Sequence, residues 1–308
     1  MQLIKPDTKI DFISRTRMFG AISAGVVALS LVLLIFPGPK LGIDFAGGTV
    51  VQVQIPDAAG PIEEGRVRAA VTEVGYPDAT IVRFGPASDR SFRISLGSSA
   101  EEDQDLADKV IDGLSAQLDV PVVRQLVDSV GARIGRELTI DGLIALLLAW
   151  SGILIYVGLR FDLRYAPGAV AALIHDVLIT AGVFVALGLE FNLQVLAALL
   201  VVIGYSLNDT IVIYDRIREN LALRGRTHLE DVVNQSINQT LSRTLLTSLT
   251  TLLVISALLL LGGPVIRDFA FALLIGVTVG TYSTIYVASA LLVYLERRAD
   301  PAGSKAKA

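Results

Sequence analysis

Two residues of opposite charge stand inside stretches that are otherwise apolar. Asp209 closes the run 195–208, and Arg243 opens the run 244–261. Hydrocarbon solvates an isolated charge so poorly that an ionisable group within a membrane span is a functional-site hypothesis by default. A carboxylate and a guanidinium at similar depth form a pair whose strength depends on whether the carboxylate holds a proton. That is the minimum needed to couple a proton gradient to movement. The competing reading is an arginine that snorkels to the surface, with Asp209 simply pairing to it. Asn208 precedes the aspartate in Gly204-Tyr205-Ser206-Leu207-Asn208-Asp209-Thr210, the strongest polar cluster of the chain. Thr240, Ser242, Thr244, Thr247, Ser248, Thr250 and Thr251 surround Arg243 with hydroxyls, which carry protons through ordered water.

His175-Asp176 lies about nine residues, or roughly 14 Å, into another apolar run. Two readings stand. Either His175 is satisfied by a neighbouring hydroxyl or carbonyl with Asp176 neutral, or one member is a step on a proton path, as Asp and His chains are in pumps. Adjacent helical residues point about 100° apart, so the two need not share a cavity. A third motif, Gly42-Ile43-Asp44-Phe45-Ala46-Gly47-Gly48-Thr49, has paired glycines that let the backbone turn sharply or pack closely. Taken alone it is a tight strand entry. Its place beside the first apolar run gives Asp44, Gly47 and Gly48 a second reading, as the coupling between a membrane helix and the domain that follows.

These residues must be positioned by membrane helices. The 308-residue chain is 53% hydrophobic, with its charges clustered between long apolar runs. Runs near 18–36, 142–159, 167–189, 193–214, 244–261 and 269–295 are each long enough to cross a bilayer core. Lys5, Lys9, Arg15 and Arg17 precede the first, which makes a cleaved signal peptide its rival; Pro37-Gly38-Pro39 follows with no small-residue cleavage site, and a retained anchor is expected. Lys and Arg number four in the N-terminal tail, two in 160–164, five in 215–243 and four in the C-terminal tail, against none around 190–192 and one in 262–268. The positive-inside rule then puts both termini in the cytoplasm. The expected organisation is a cytoplasmic tail 1–17, a first span 18–36, an extracytoplasmic domain 37–137, a five-helix bundle 138–295 and a cytoplasmic tail 296–308. Within the bundle, 215–242 is expected to be an amphipathic interfacial helix joining the fourth and fifth spans.

In the exterior domain, 49–55 alternates as a strand does, and 61–74 has a helical pattern. Short apolar runs at 80–84 and 91–96 flank a turn at 85–89; Ser99 caps an expected helix 100–118, and 121–130 reads as a last strand. The order βαββαβ predicts an α+β ferredoxin-like split fold, acting either as a spacer or as a lever that touches substrate or partner. Composition excludes much else. The net charge of −4 offers nothing to nucleic acid, and zero cysteines with two histidines exclude disulfides, thiolate chemistry and a multi-histidine metal site. No catalytic constellation or phosphate loop is present, so neither an enzyme nor a cofactor is expected; the proton gradient is the energy source.

Taken together, 42–49, His175-Asp176, 203–220 and 238–252 resemble the SecD/SecF family of the bacterial Sec export machinery, a branch of the RND superfamily. The resemblance implies a SecF-type accessory subunit in the inner membrane. It would pair with SecD and associate with the SecYEG channel and YajC-type accessory subunits, acting on an unfolded polypeptide during late translocation. It also implies proton transport by Asp209 and Arg243, with a further carboxylate supplied by SecD. RND-type proteins have twelve spans, so six argue for a partner holding the other half. An RND-type proton-coupled exporter of a small molecule or lipid, working as a homodimer, is the alternative, and a purely structural assembly factor is a third reading.

Overall fold

The computed structural model describes residues 9–56, 62–84, 89–97, 105–224 and 229–299. After a short turn at Ile13–Arg15, helix α1 (Thr16–Ile35) leads into β1 (Lys40–Leu41), the one-turn helix α2 (Ile43–Ala46) and β2 (Gly48–Gln54). An α+β unit continues through α3 (Glu64–Glu73), β3 (Thr80–Phe84), β4 (Ser91–Leu96), α4 (Leu106–Leu118) and β5 (Val123–Val130). The long helices α5 (Ala132–Arg160) and α6 (Ala166–Ala186) follow, then β6 (Glu190–Phe191), α7 (Leu193–Arg224) and α8 (Leu229–Leu261). The last pass runs through α9 (Pro264–Ser283), a π-helical segment at Thr284–Ala288 and α10 (Ser289–Ala299). Among the described residues, six helices are long and apolar enough to cross a membrane.

The four-stranded sheet has the order β3-β4-β2-β5 with every neighbour antiparallel. Val51 and Val53 of β2, with Phe92 and Ile94 of β4, join Val67 and Val71 of α3 and Val110 and Leu114 of α4 in one buried cluster. Alternation along β2 and β4 puts these side chains on the helix-covered face, which is why the short apolar runs fold as strands. In the bundle, α6 is the most enclosed span. Helix α7 approaches α9 where Gly276 and Gly280, four residues apart, face Val202 and Ser206. Such small-residue spacing permits close helix contact where lipid provides no hydrophobic drive.

Several expected boundaries move. The second span starts at Ala132, not near residue 142, so residues 132–137, assigned from sequence to the exterior domain, are its first turns. These are polar and helical, and a hydropathy criterion does not see them. The expected interfacial helix at 215–242 does not form a separate element. Asp215 to Arg224 extends α7, and Leu229 to Ser242 begins α8. Its apolar side, Val233, Ile237 and Leu241, packs in one cluster with Ile213, Tyr214 and Ile217. Asn220 donates to Ser236 Oγ at 2.8 Å and to Gln239 Oε1 at 2.9 Å. The two helices thus bury the amphipathic face against each other rather than against lipid. Residues 85–88 of the expected turn, the Ser99 cap and Pro61 at the start of the expected helix 61–74 lie outside the described residues.

Candidate functional site

On α7, Asp209 and Thr210 lie three and four residues beyond Ser206 and therefore share its face. That face meets α6, α8 and the last pass. Asp176 of α6, 0% exposed, anchors the first polar cluster. Its Oδ2 accepts from Ser206 Oγ at 2.6 Å and from Ser283 Oγ at 2.9 Å. Its Oδ1 lies 3.0 Å from His175 Nδ1, so the neighbouring side chains do share a cavity despite their angular offset. His175 Nε2 is buried and has no hydrogen-bond partner among the described residues. The imidazole stacks at 6.2 Å on Tyr282, whose hydroxyl donates to the Phe19 carbonyl at 2.8 Å and lies 2.9 Å from Ser23 Oγ. Through that tyrosine the cluster reaches α1.

Asp209 is also buried, at 5% exposure, but poorly satisfied. Ser248 Oγ of α8 stands 3.5 Å from Asp209 Oδ2, at the limit of a hydrogen bond, and lies 2.8 Å from Thr281 Oγ1. Thr210 and Thr284 hydroxyls meet at 3.1 Å between the two carboxylates' surroundings. Thr284 donates to the Gly280 carbonyl at 2.9 Å, and Ser283 shares its one proton between that oxygen at 3.1 Å and Asp176, so hydroxyls of one helical turn serve both clusters. The π-helical segment begins at Thr284, where an extra residue in the turn re-aims the side chains, a feature frequent at functional sites.

The sequence leaves open whether Asp209 and Arg243 touch: among the described residues no ion pair joins them, and Arg243 is on the exposed face of α8. Helical geometry supplies the reason. Ser248 faces Asp209, and five residues at 100° each turn Arg243 about 140° away from it. Asn208 is exposed on α7. The fold therefore brings Asp176, His175 and Asp209 to one interior and leaves Arg243 and Asn208 outside it. Sequence reasoning missed Thr281, Tyr282, Ser283 and Thr284, although four polar side chains in a row within an apolar span were a readable signal.

At the sheet end of the bundle, the glycine motif makes a junction. Asp44 Oδ2 accepts from the Leu193 amide at 2.8 Å, capping α7 across 149 residues of sequence. Gly42 N–H donates to the Phe191 carbonyl at 2.7 Å, beside the parallel pairing of β1 with β6. Gly47, at φ 76° and ψ 163°, sits where a Cβ would lie 2.7 Å from Ala132 Cα. A Cβ on Gly135 would lie 2.8 Å from the Phe45 carbonyl oxygen, so the motif packs backbone to backbone on the start of α5. Among the described residues no group of three or more metal-ligating side chains occurs.

Residues 111–298 match the family model described as protein export membrane protein SecD/SecF, C-terminal. The chain belongs to the SecD/SecF family. A second model, the SecD/SecF GG motif, matches residues 32–55, which contain the Asp44–Gly48 junction. The chain is 42% identical over 299 residues to the protein translocase subunit SecF of Calditerrivibrio nitroreducens, covering 96% of each. It is 45% identical over 298 residues to that of Magnetococcus marinus, covering 96% of this chain and 95% of that one. A crystal structure of SecDF from Thermus thermophilus, titled a translocon-associated membrane protein, superimposes with a TM-score of 0.85 at 39% identity, covering 97% of this chain and 40% of that one. SecDF in a form titled Super-membrane-facing gives 0.72 at 40% identity, covering all of this chain and 41% of that one. As a SecD/SecF family member with six apolar helices, the chain is a multi-pass membrane protein.

Proposed function

We propose that this chain is the SecF-type subunit of the Sec export machinery, pairing with a SecD-type chain to draw on the proton gradient during late polypeptide translocation. It is a transport subunit and not an enzyme. The observation that carries the proton reading is Asp209: a buried carboxylate with one long hydroxyl contact and, among the described residues, no ion pair. An unpaired buried charge costs several kcal/mol, so a proton or an arriving cation must balance it. Arg243 is the cation on the neighbouring helix, and a rotation of α8 would exchange Ser248 for Arg243 at the carboxylate. One charge crossing the membrane potential is worth about 2.3 kcal/mol per 100 mV, within the range of about 1–3 kcal/mol that biases conformational equilibria.

Asp176 and His175 form the second station of the path, and Asn208, next to Asp209, faces the surface where a partner completes it. The fused SecDF relatives, of which this chain spans about two fifths, support SecD as that partner. SecYEG, YajC-type subunits, the translocating polypeptide and lipid complete the proposed surroundings, with no cofactor other than the gradient. We read residues 48–130 as a ferredoxin-like extracytoplasmic domain. The strand order supports the first part and the positive-inside distribution the second, with both termini cytoplasmic. The Asp44–Gly48 junction would transmit helix movement to that domain.

The test is export of a secretory precursor into membrane vesicles, with and without a proton gradient, using the purified complex. Co-purification with a second six-span chain, and loss of the gradient-dependent part alone in Asp209→Asn, is the expected result. A functional homo-oligomer without a second chain would instead support the small-molecule exporter. Gradient-dependent export unchanged in Asp209→Asn would overturn the reading.

A further inference from the structure

We propose that Asn234 and Asn238 are positioning residues for the proton step: they clamp the N-terminal segment to α8 and set the rotation of the helix that carries Arg243 and Ser248. This rests on the reading of Asp209 as the site of proton exchange. The two asparagines stand one turn apart on α8, on one face. Asn238 Oδ1 accepts from the Ile10 amide at 2.9 Å, and its Nδ2 donates to the Ile10 carbonyl at 2.8 Å. Asn234 Nδ2 donates to the same carbonyl at 3.1 Å, and its Oδ1 accepts from the Phe12 amide at 2.8 Å. Two side-chain amides thus satisfy a stretch of backbone as an adjacent β-strand would. An amide side chain presents the donor and the acceptor this needs on two separate atoms; aspartate lacks the donor.

The clamp is braced on its inner side. Phe12 is buried and meets Tyr286 edge-on at 6.1 Å, in the cluster that holds Ile213, Ile217 and Ile237. The same segment leads directly into α1, which reaches the Asp176 cluster through Phe19, Ser23 and Tyr282. One strap therefore links α8 to α1 across the basic end of the bundle. Arg243 lies five residues beyond Asn238 on an uninterrupted helix, and Ser248 ten, so slippage at the clamp turns both relative to Asp209.

The experiment uses the full chain in complex with its partner subunit. The chain has no cysteine, so nitroxides can be attached at Leu223 of α7 and Leu246 of α8, both outward-facing, and their separation read by pulsed electron resonance. In Asn234→Ala/Asn238→Ala the distance distribution should shift or broaden, the pH midpoint of proton uptake should move, and gradient-dependent export per complex should fall about twofold to thirtyfold, the range of coupling changes at sites remote from a ligand. Ile10→Pro removes a single N–H of the clamp and keeps both asparagines and Phe12; it provides the readout if the double variant does not assemble, with a smaller change in the same direction. An unchanged distance distribution in the assembled variant overturns the proposal. So does a changed distribution with an unmoved pH midpoint, since the asparagines would then be merely structural. Proton uptake that survives Asp209→Asn overturns the underlying reading instead, and the distance measurement still judges the clamp.

Discussion

Replacing Gly47 by alanine tests whether the glycine motif is a mechanical join. At φ 76° and ψ 163° Gly47 occupies a region that is essentially closed to side-chain-bearing residues. An alanine there carries about 1–3 kcal/mol of backbone strain. Its Cβ would also stand 2.7 Å from Ala132 Cα and 2.9 Å from Ala132 N, well inside the 3.4 Å of ordinary contact. Those atoms are backbone, so they yield only if the start of α5 moves. Gly135→Ala separates the two contributions: its Cβ would meet the Phe45 carbonyl oxygen at 2.8 Å, but its backbone is in no left-handed region. Gly65→Ala, on α3 with nothing within 4 Å, is the control and should stabilise by about 0.5–1 kcal/mol. The assay is amide hydrogen exchange of the purified chain, read at the β2 amides and at the first turn of α5. Gly47→Ala should weaken protection by about 2–4 kcal/mol, which is roughly thirtyfold faster exchange or more. Gly135→Ala should lose less, and the double variant less than the sum, because both act on one contact. Protection in Gly47→Ala equal to that of the parent chain would refute the reasoning.

Asp44→Ala removes the acceptor of the Leu193 amide while Asn192 Oδ1 still caps the Val195 amide; it should cost about 1 kcal/mol, seen as faster exchange at the Leu193 amide, with Asp44→Asn losing much less. Asp176→Ala strands the Ser206 hydroxyl in a fully buried site, at about 1–3 kcal/mol for the donor left unmade, while Ser283 keeps the Gly280 carbonyl; its melting temperature should fall further than that of Asp176→Asn, which keeps an acceptor. Burial raises the pKa of the Glu190 carboxyl, opposed by Arg93 and Lys40 and reinforced by Asp268. A carboxyl whose folded pKa lies above its unfolded value binds more protons when folded, so its ionisation destabilises the β1–β6 join as pH rises through the folded pKa. Glu190→Gln should therefore raise the melting temperature at neutral pH, and the gain should shrink as pH falls toward the unfolded value; a gain independent of pH would contradict this.

Much of the architecture was legible because hydropathy and short-range alternation carry it. Strands at Thr80–Phe84 and Ser91–Leu96 stand where the short apolar runs put them. The polar first turns of α5 were not, since Arg133, Arg136 and Glu137 carry no hydropathy signal although they are helical. The amphipathic pattern of 215–242 was real, but amphipathicity does not say whether lipid or a second helix covers the apolar face; Ile217 and Ile237 settle it by packing together. At the site, Asp209 and Asp176 announced themselves by charge in an apolar setting. Which hydroxyl would meet Asp209 depends on the rotation of α8, a tertiary quantity, and Ser248 rather than Arg243 faces it. The Asp44 cap is similarly a contact across 149 residues that no local pattern encodes.

The most direct measurement is proton flux through the purified complex in liposomes under an imposed pH gradient, comparing the parent chain with Asp209→Asn at equal incorporation. Loss of flux in the variant, with the complex intact, is the predicted result. Flux equal to the parent's would mean that the buried carboxylate carries no proton and would contradict the account.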